Sequence, residues 1–125
     1  MDIAKLKPAE RIIEIIHPAT GENVGIRVTV ISLVDERMKA VRRRFQNKKI
    51  ELEKRGKTFK ADDLEENATE LLLNAITGWD WYDAEFNGEK PVFNEKNVKT
   101  VLNEFSWFKN QIVEAIDDEK AFFQS

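Results

Sequence analysis

The sequence predicts an α+β fold that is mainly α-helical, with an N-terminal β-hairpin followed by about four helices. Apolar residues alternate with other types near the N-terminus and recur every three to four positions later, and Gly, Pro and Asn separate these stretches. With 125 residues, 42% of them hydrophobic and 34% charged, the chain is long enough for one domain with its own core. We therefore expect a single domain covering 1–125, made of a hairpin (1–33), a basic helix (34–60), and an acidic helix, aromatic loop and C-terminal helices (61–125).

The hairpin is predicted from two β-rich runs. Residues 11–16 are largely β-branched and apolar, and residues 24–30 alternate between Val or Ile and Gly, Arg or Thr, which is typical of a half-buried strand. Between the runs, Pro18 and Gly21 favour a turn, because Pro fixes φ and Gly accepts positive φ.

A basic helix and an acidic helix are predicted next. Apolar residues three, four and seven positions apart predict a helix of about 34–55, with Ser32 as its cap and Gly56 at its end. An acidic first turn and a broad apolar stripe predict a second helix of about 62–77, which Gly78 ends.

The C-terminal part is predicted to be a loop followed by two helices. Asn87–Gly88 is a strong turn signal, so residues 79–93 are expected to form a small hairpin or an ordered loop. Asn94 is expected to cap a helix of about 95–104, and Ser106 to begin a last helix that runs to about 123.

The residues that would carry chemistry do not assemble into a catalytic or metal-binding pattern. The chain has no Cys, its single His17 precedes Pro18 with no nucleophile nearby in sequence, and glycine-rich phosphate and nucleophile-elbow motifs are absent. The acidic residues of the 80–89 segment lack the spacing of a calcium loop. No apolar run approaches the ~18 residues of a membrane span. We therefore predict a non-enzymatic protein with no cofactor, no metal site and no membrane partner.

Two adjacent segments carry opposite charge. Residues 37–60 contain eleven basic and two acidic side chains, and residues 61–89 contain nine acidic and no basic ones. The two surfaces are predicted either to meet between subunits, giving a ring or a helical stack, or to neutralise each other within one chain. A nucleic-acid contact by the basic helix is a third interpretation, which the overall pI of about 5.3 disfavours. The candidate self-association residues are Arg42, Arg43, Arg44, Asp62, Asp63, Glu66 and Glu70.

The aromatic residues are concentrated towards the C-terminus. Ten of the twelve lie in residues 79–123, and several are adjacent in sequence. Adjacent side chains cannot all face one core, so some are expected on the surface, where large aromatic residues commonly anchor partners. The alternative is that most belong to the core. The candidate partner-binding residues are Trp79, Trp81, Phe105, Trp107, Phe122 and Phe123.

Five stretches carry a family resemblance: LLLNAITGW (71–79), FNGEKPVF (86–93), NEKNVKTVL (94–102), FSWFKNQI (105–112) and AFF (121–123). They describe a helix ending in Gly-Trp, a polar loop with a small turn, a capped helix, a break, and an amphipathic final helix. Over about residues 64–123, this pattern resembles the tail assembly chaperones of long-tailed bacteriophages.

The resemblance implies a non-catalytic protein made late in infection, in the cytoplasm of the host bacterium. Such chaperones bind the long, helical tape measure protein and keep it soluble until tail tube subunits polymerise around it, and they are absent from the finished virion. The tail tube protein is a further candidate partner, and a homo-oligomer is expected. Two alternatives remain: a small nucleic-acid-binding regulator that uses the basic helix, and a structural protein of the head–tail junction.

Overall fold

The structure, a computed structural model, describes residues 1–57 and 60–123, and it describes residues 61–66 at the level of the backbone. Within these residues it has the predicted α+β architecture, a three-stranded antiparallel sheet with four α-helices. In chain order the elements are β1 (Arg11–Ile16), β2 (Asn23–Val30), α1 (Lys39–Lys54), α2 (Ala61–Ala75), β3 (Ile76–Asp80), α3 (Glu95–Glu104) and α4 (Ser106–Asp117). Short 3-10 helices cover Ile3–Lys5, Glu36–Met38 and Glu119–Phe123.

The predicted hairpin is confirmed, and it forms two of the three strands. Strand β2 is central, with β1 on one side and β3 on the other. Ile13 lies opposite Val28 and Glu14 opposite Arg27, and the register of β1 shifts between Glu14 and Ile16. Because side chains alternate across a strand, this register sends Val28 to the core and Arg27 to the opposite face.

Strand β3 corrects the prediction of a helix that continues to residue 77. Helix α2 ends at Ala75, and the chain passes directly into β3, where Trp79 lies opposite Val28 and Gly78 opposite Thr29. Ile76 is β-branched and is buried by this pairing, so the sheet stabilises the strand more than one further helical turn would. Gly78 is therefore a strand residue and not a helix end.

The start of the basic helix also differs from the prediction. Residues Glu36–Met38 form a 3-10 turn before α1, and the cap is Asp35, whose Oδ1 accepts the backbone N–H of Arg37 at 2.9 Å. Ser32 is buried and accepts the N–H of Val34 at 3.2 Å, so it closes a local turn and does not cap the helix.

The predicted end of the basic helix and start of the third helix are confirmed. Gly56 has φ +69°, and the N–H of Lys57 donates to the Leu52 carbonyl at 2.8 Å, the pattern of a Schellman motif. Helix α3 has its predicted bounds, and Oδ1 of Asn94 accepts the N–H of Asn97 at 2.7 Å. The last helix is shorter than predicted, because α4 ends at Asp117 and a 3-10 helix follows.

The core lies between the helices and one face of the sheet. It contains the inward side chains of the strands, with the buried faces of all four helices and of the C-terminal 3-10 helix. On the other face of the sheet, which we call the outer face, Ile12 and Arg27 are exposed. The main buried residues are Ile15, Val28, Val30, Met38, Leu72, Val98, Val101, Leu102, Phe108, Ile112, Ile116 and Phe122.

Candidate functional site

Two of the six predicted partner-binding aromatics belong to the core. Trp81 is 6% exposed, and its ring packs edge-on against Trp79 with centroids 5.5 Å apart. Phe122 is 1% exposed, in a segment held down by the bond from the Ala9 N–H to the Phe122 carbonyl, 2.8 Å. The prediction that these two residues are surface anchors is wrong. Their segments fold back over the core and bury them.

The expectation that adjacent aromatics diverge is confirmed. Tyr82 is exposed beside the buried Trp81, and Phe123 is exposed beside the buried Phe122. Phe105 and Trp107 are half-buried at the junction of α3 and α4, and their ring centroids are 5.7 Å apart. Phe86 packs against Phe105 and Phe108 against Trp107, so the four rings form a row. The remaining predicted anchor, Trp79, lies at β3. The predicted anchors therefore fall into three pairs: Trp79 and Trp81 at the end of β3, Phe105 and Trp107 at the α3–α4 junction, and Phe122 and Phe123 in the C-terminal 3-10 helix.

Trp79 contacts the segment that carries an exposed apolar pair, Val92 and Phe93, which is not among the predicted partner-binding residues. Its indole N–H donates to the Pro91 carbonyl at 3.1 Å, and its ring lies edge-on to Phe93 with centroids 5.7 Å apart. These contacts fix the chain just before α3. Phe93 is 40% exposed and Val92 is 71% exposed, so both present apolar surface to solvent.

Phe93 of this pair lines a groove between α2 and α3, which we call the α2–α3 groove. It has a volume of about 830 Å³. Its floor is apolar, formed by the buried Ile76 and Val98 with Leu73 and Phe93. Its rim is polar and carries both signs of charge, with Arg44, Glu70, Asn74, Glu95, Lys99 and Asn103. An apolar floor within a polar rim is suited to a helix that is apolar on one side.

The sequence did contain a signal for this floor. Phe93 immediately precedes the cap residue Asn94, and Val98 is the fourth residue of α3. Apolar residues at these two positions commonly pack against each other as a hydrophobic staple. The structure places both in the floor of the α2–α3 groove.

The segment before the groove is anchored to the outer face of the sheet. The Tyr82 hydroxyl donates to Glu14 at 2.8 Å, and Nε of Arg27 donates to the other oxygen of Glu14 at 2.7 Å. The Arg27 guanidinium lies 4.4 Å from the centre of the Tyr82 ring. The bonds from Arg27 and from Tyr82 lower the pKa of Glu14, and the bond to Glu14 raises the pKa of Tyr82.

Of the two forms predicted for residues 79–93, a small hairpin or an ordered loop, the structure has a small hairpin turn closed by one bridge between Phe86 and Glu89. Asn87 and Gly88 have φ +54° and +82°, and Phe86 and Glu89 exchange backbone hydrogen bonds of 2.7 and 3.2 Å. Positive φ at both central residues is characteristic of a type I′ turn. The turn reverses the chain, which then returns through Pro91 to the groove.

The predicted self-association residues fall into three groups. Arg44 forms a 3.2 Å ion pair with Glu70 of the same chain. For this pair, the basic and acidic segments neutralise each other within one chain, which is the second of the two predicted arrangements. Arg42 and Arg43 are exposed on another side of α1. The side chains of Asp62, Asp63 and Glu66 lie outside the described residues. Association between subunits stays a prediction.

The single histidine and the acidic side chains are the remaining candidates for catalysis or metal binding. Nδ1 of His17 accepts the N–H groups of Ala19 and Thr20 at 3.1 and 3.2 Å, so this histidine stabilises the β1–β2 turn. Among the side chains that the structure describes, those of residues 1–57, 60 and 67–123, no three His, Asp or Glu are grouped to hold a metal ion. Over that same part of the chain, no helix has both the length and the apolar character needed to cross a membrane.

No protein-family model, curated protein or solved structure matches the chain.

Proposed function

We propose that the protein is a non-catalytic tail assembly chaperone of a long-tailed bacteriophage, which binds the tape measure protein and keeps it soluble during tail tube polymerisation. The α2–α3 groove is the observation that carries this proposal, because its apolar floor and charged rim suit an amphipathic helix. The resemblance of residues 64–123 to these chaperones supplies the identity of the client.

The groove suits a client that must later be released. Burying an exposed Phe or Val completely contributes roughly 1.5–3 kcal/mol, and Phe93 and Val92 are already partly covered. The ordering of two chains and the loss of free translation oppose this gain. We therefore expect each copy to bind weakly, which allows tail tube subunits to displace it.

Tight coating of a long client then requires many copies. Several weak contacts along one chain give a high overall affinity because each bound copy raises the local concentration of the next. The proposal accordingly includes self-association, action in the host cytoplasm, and absence of the protein from finished particles. Contact with the tail tube protein belongs to the same proposal.

Co-expression with the tape measure protein of the same phage tests the function. The wild-type chain should make that protein soluble and co-purify with it. Val92→Asp should weaken co-purification, since it places a charge next in sequence to Phe93, at an exposed position that folding does not need. Phe93→Ala should also weaken it, by removing part of the floor.

The matched control is Ile12→Asp, which adds the same charge at a 66% exposed position on the outer sheet face. It should bind the client as the wild type does, and thermal unfolding should show all variants folded. An absence of complex and of any change in solubility would rule out the chaperone function. Finding the protein in purified particles would favour a structural protein of the head–tail junction instead.

A further inference from the structure

A second groove runs along α1, on a different side of the molecule from the α2–α3 groove. Its α1 residues recur at steps of three and four from Lys39 to Glu53, so they share one face of the helix over its whole length. Leu71 of α2 also lines this groove. We call this surface the basic groove, and its central residues are Arg42, Arg43, Phe45, Lys49, Ile50 and Leu71.

The described lining of the basic groove carries an excess of positive charge. Lys39, Arg42, Arg43 and Lys49 line it with one acidic residue, Glu53. Among the residues that the structure describes, none of these four cations forms an ion pair. The next arginine along the helix is directed elsewhere, since it pairs with Glu70 at the α2–α3 groove. A row of exposed cations without partners attracts a ligand of negative charge.

The basic groove also has apolar surface, which distinguishes two classes of acidic ligand. Ile50 is 48% exposed between the cations, and Phe45 and Leu71 are half-buried beside it. Apolar side chains contribute little to contacts with a phosphate backbone, whereas they match the apolar side of an amphipathic helix. The chain as a whole is acidic, with a net charge of −3, and this also opposes nucleic acid.

We propose that the basic groove docks an acidic amphipathic α-helix of a partner protein. At about 1.5 Å per residue, the sixteen residues of α1 offer a track of about 24 Å, the length of a four-turn helix. The partner helix presents an apolar stripe to Phe45, Ile50 and Leu71, and Asp or Glu residues on both sides of the stripe face the cations. The basic groove shares no lining residue with the α2–α3 groove, and this proposal does not rest on the function proposed above.

The probe is a fluorescently labelled synthetic peptide of about 18 residues, with Leu at heptad spacing and Glu at the flanking positions. Fluorescence anisotropy measures its binding to the full chain. We expect saturable binding that weakens as salt is raised, because exposed ion pairs are screened. A peptide with Lys in place of every Glu should not bind.

The test variant carries Arg42→Glu, Arg43→Glu and Lys49→Glu, all at exposed positions. It should weaken binding by roughly tenfold or more, because attraction becomes repulsion at three places. The matched control, Lys5→Glu, Lys96→Glu and Lys120→Glu, changes the net charge equally at exposed positions outside the groove and should bind almost as the wild type does. Ile50→Ser, which keeps every charge, should weaken binding severalfold.

Four results would overturn the proposal. The first is equal binding of the acidic and basic peptides, and the second is equal loss in the test and control triple variants. The third is tighter binding of random-sequence duplex DNA that displaces the peptide, which would make the groove a phosphate-binding surface. An oligomer that forms through these three cations and excludes the peptide would likewise show that a second copy is the occupant.

Discussion

Gly25 is the position at which one methyl group should disturb both the sheet and the segment that leads to the α2–α3 groove. It has φ +93°, in the region that residues with a side chain rarely adopt. An added Cβ would lie 2.5 Å from Cβ of Asp83 and 2.8 Å from its carbonyl carbon, closer than such atoms approach. The Asp83 N–H donates to the Gly25 carbonyl at 3.1 Å, so the two backbones are held together at this place.

The magnitude of the Gly25→Ala effect follows from two costs and one gain. Positive φ costs about 1–2 kcal/mol for a residue with a Cβ, and displacing the Asp83 backbone costs a further 1–3 kcal/mol. Ala also lowers the conformational entropy of the unfolded chain, which stabilises the folded state by about 0.4–1 kcal/mol. We expect a net loss of about 2–4 kcal/mol in the free energy of unfolding, measured by urea denaturation and followed by tryptophan fluorescence.

Gly21→Ala is the matched control. Gly21 also has positive φ, +74°, but nothing lies within 4 Å of an added Cβ. This variant should lose only about 1 kcal/mol, so the difference between the two variants measures the contact with Asp83. Equal losses at Gly25 and Gly21 would refute the close approach of the two backbones.

Three further predictions concern single interactions. Glu14→Gln should lower the raised pKa of Tyr82, which the ultraviolet absorbance of this only tyrosine reports. The pKa of Tyr82 is higher in the folded than in the unfolded chain. The stability that the Tyr82–Glu14 bond contributes is therefore present below pH ~10 and is lost as pH rises through the folded pKa. The side chain of Gln111 accepts the Ile16 N–H at 2.9 Å and donates to the Ile16 carbonyl at 2.8 Å. Gln111→Ala should therefore lower the free energy of unfolding by about 1 kcal/mol and speed amide hydrogen exchange at Ile16. An unchanged exchange rate would contradict this. Asn94→Ala should lower the free energy of unfolding by about 1 kcal/mol in urea, whereas Asn94→Ser should retain most of the cap.

The elements that local chemistry defines could be predicted from the sequence. The alternation over residues 24–30, the cap at Asn94 and the helix end at Gly56 each depend on a few neighbouring residues. Strand β3 was missed because its pairing with β2 joins residues about fifty positions apart. The apolar stripe of α2 runs on into Ile76, so period alone favours a longer helix there.

The candidate site was less predictable for a related reason. Residue type placed Trp81 and Phe122 among the surface anchors, but burial depends on where each segment packs, and both segments return to the core. Phe93 lies in a polar loop and acquires its role only when α2, β3 and α3 meet around it. The wrapping of consecutive arginines around a helix was predictable, and it separates Arg44 from Arg42 and Arg43 in the structure.

Photo-crosslinking from position 93 tests most directly whether this chain holds a helical client in the α2–α3 groove. The photoreactive amino acid benzoylphenylalanine replaces Phe93 in one chain and Ile12 in a control, and each is co-expressed with the tape measure protein and irradiated. A crosslinked product from position 93 and none from position 12 is the result we predict. Crosslinking from position 12 alone, with an intact complex but no product from position 93, would place the client on the outer sheet face and contradict the account.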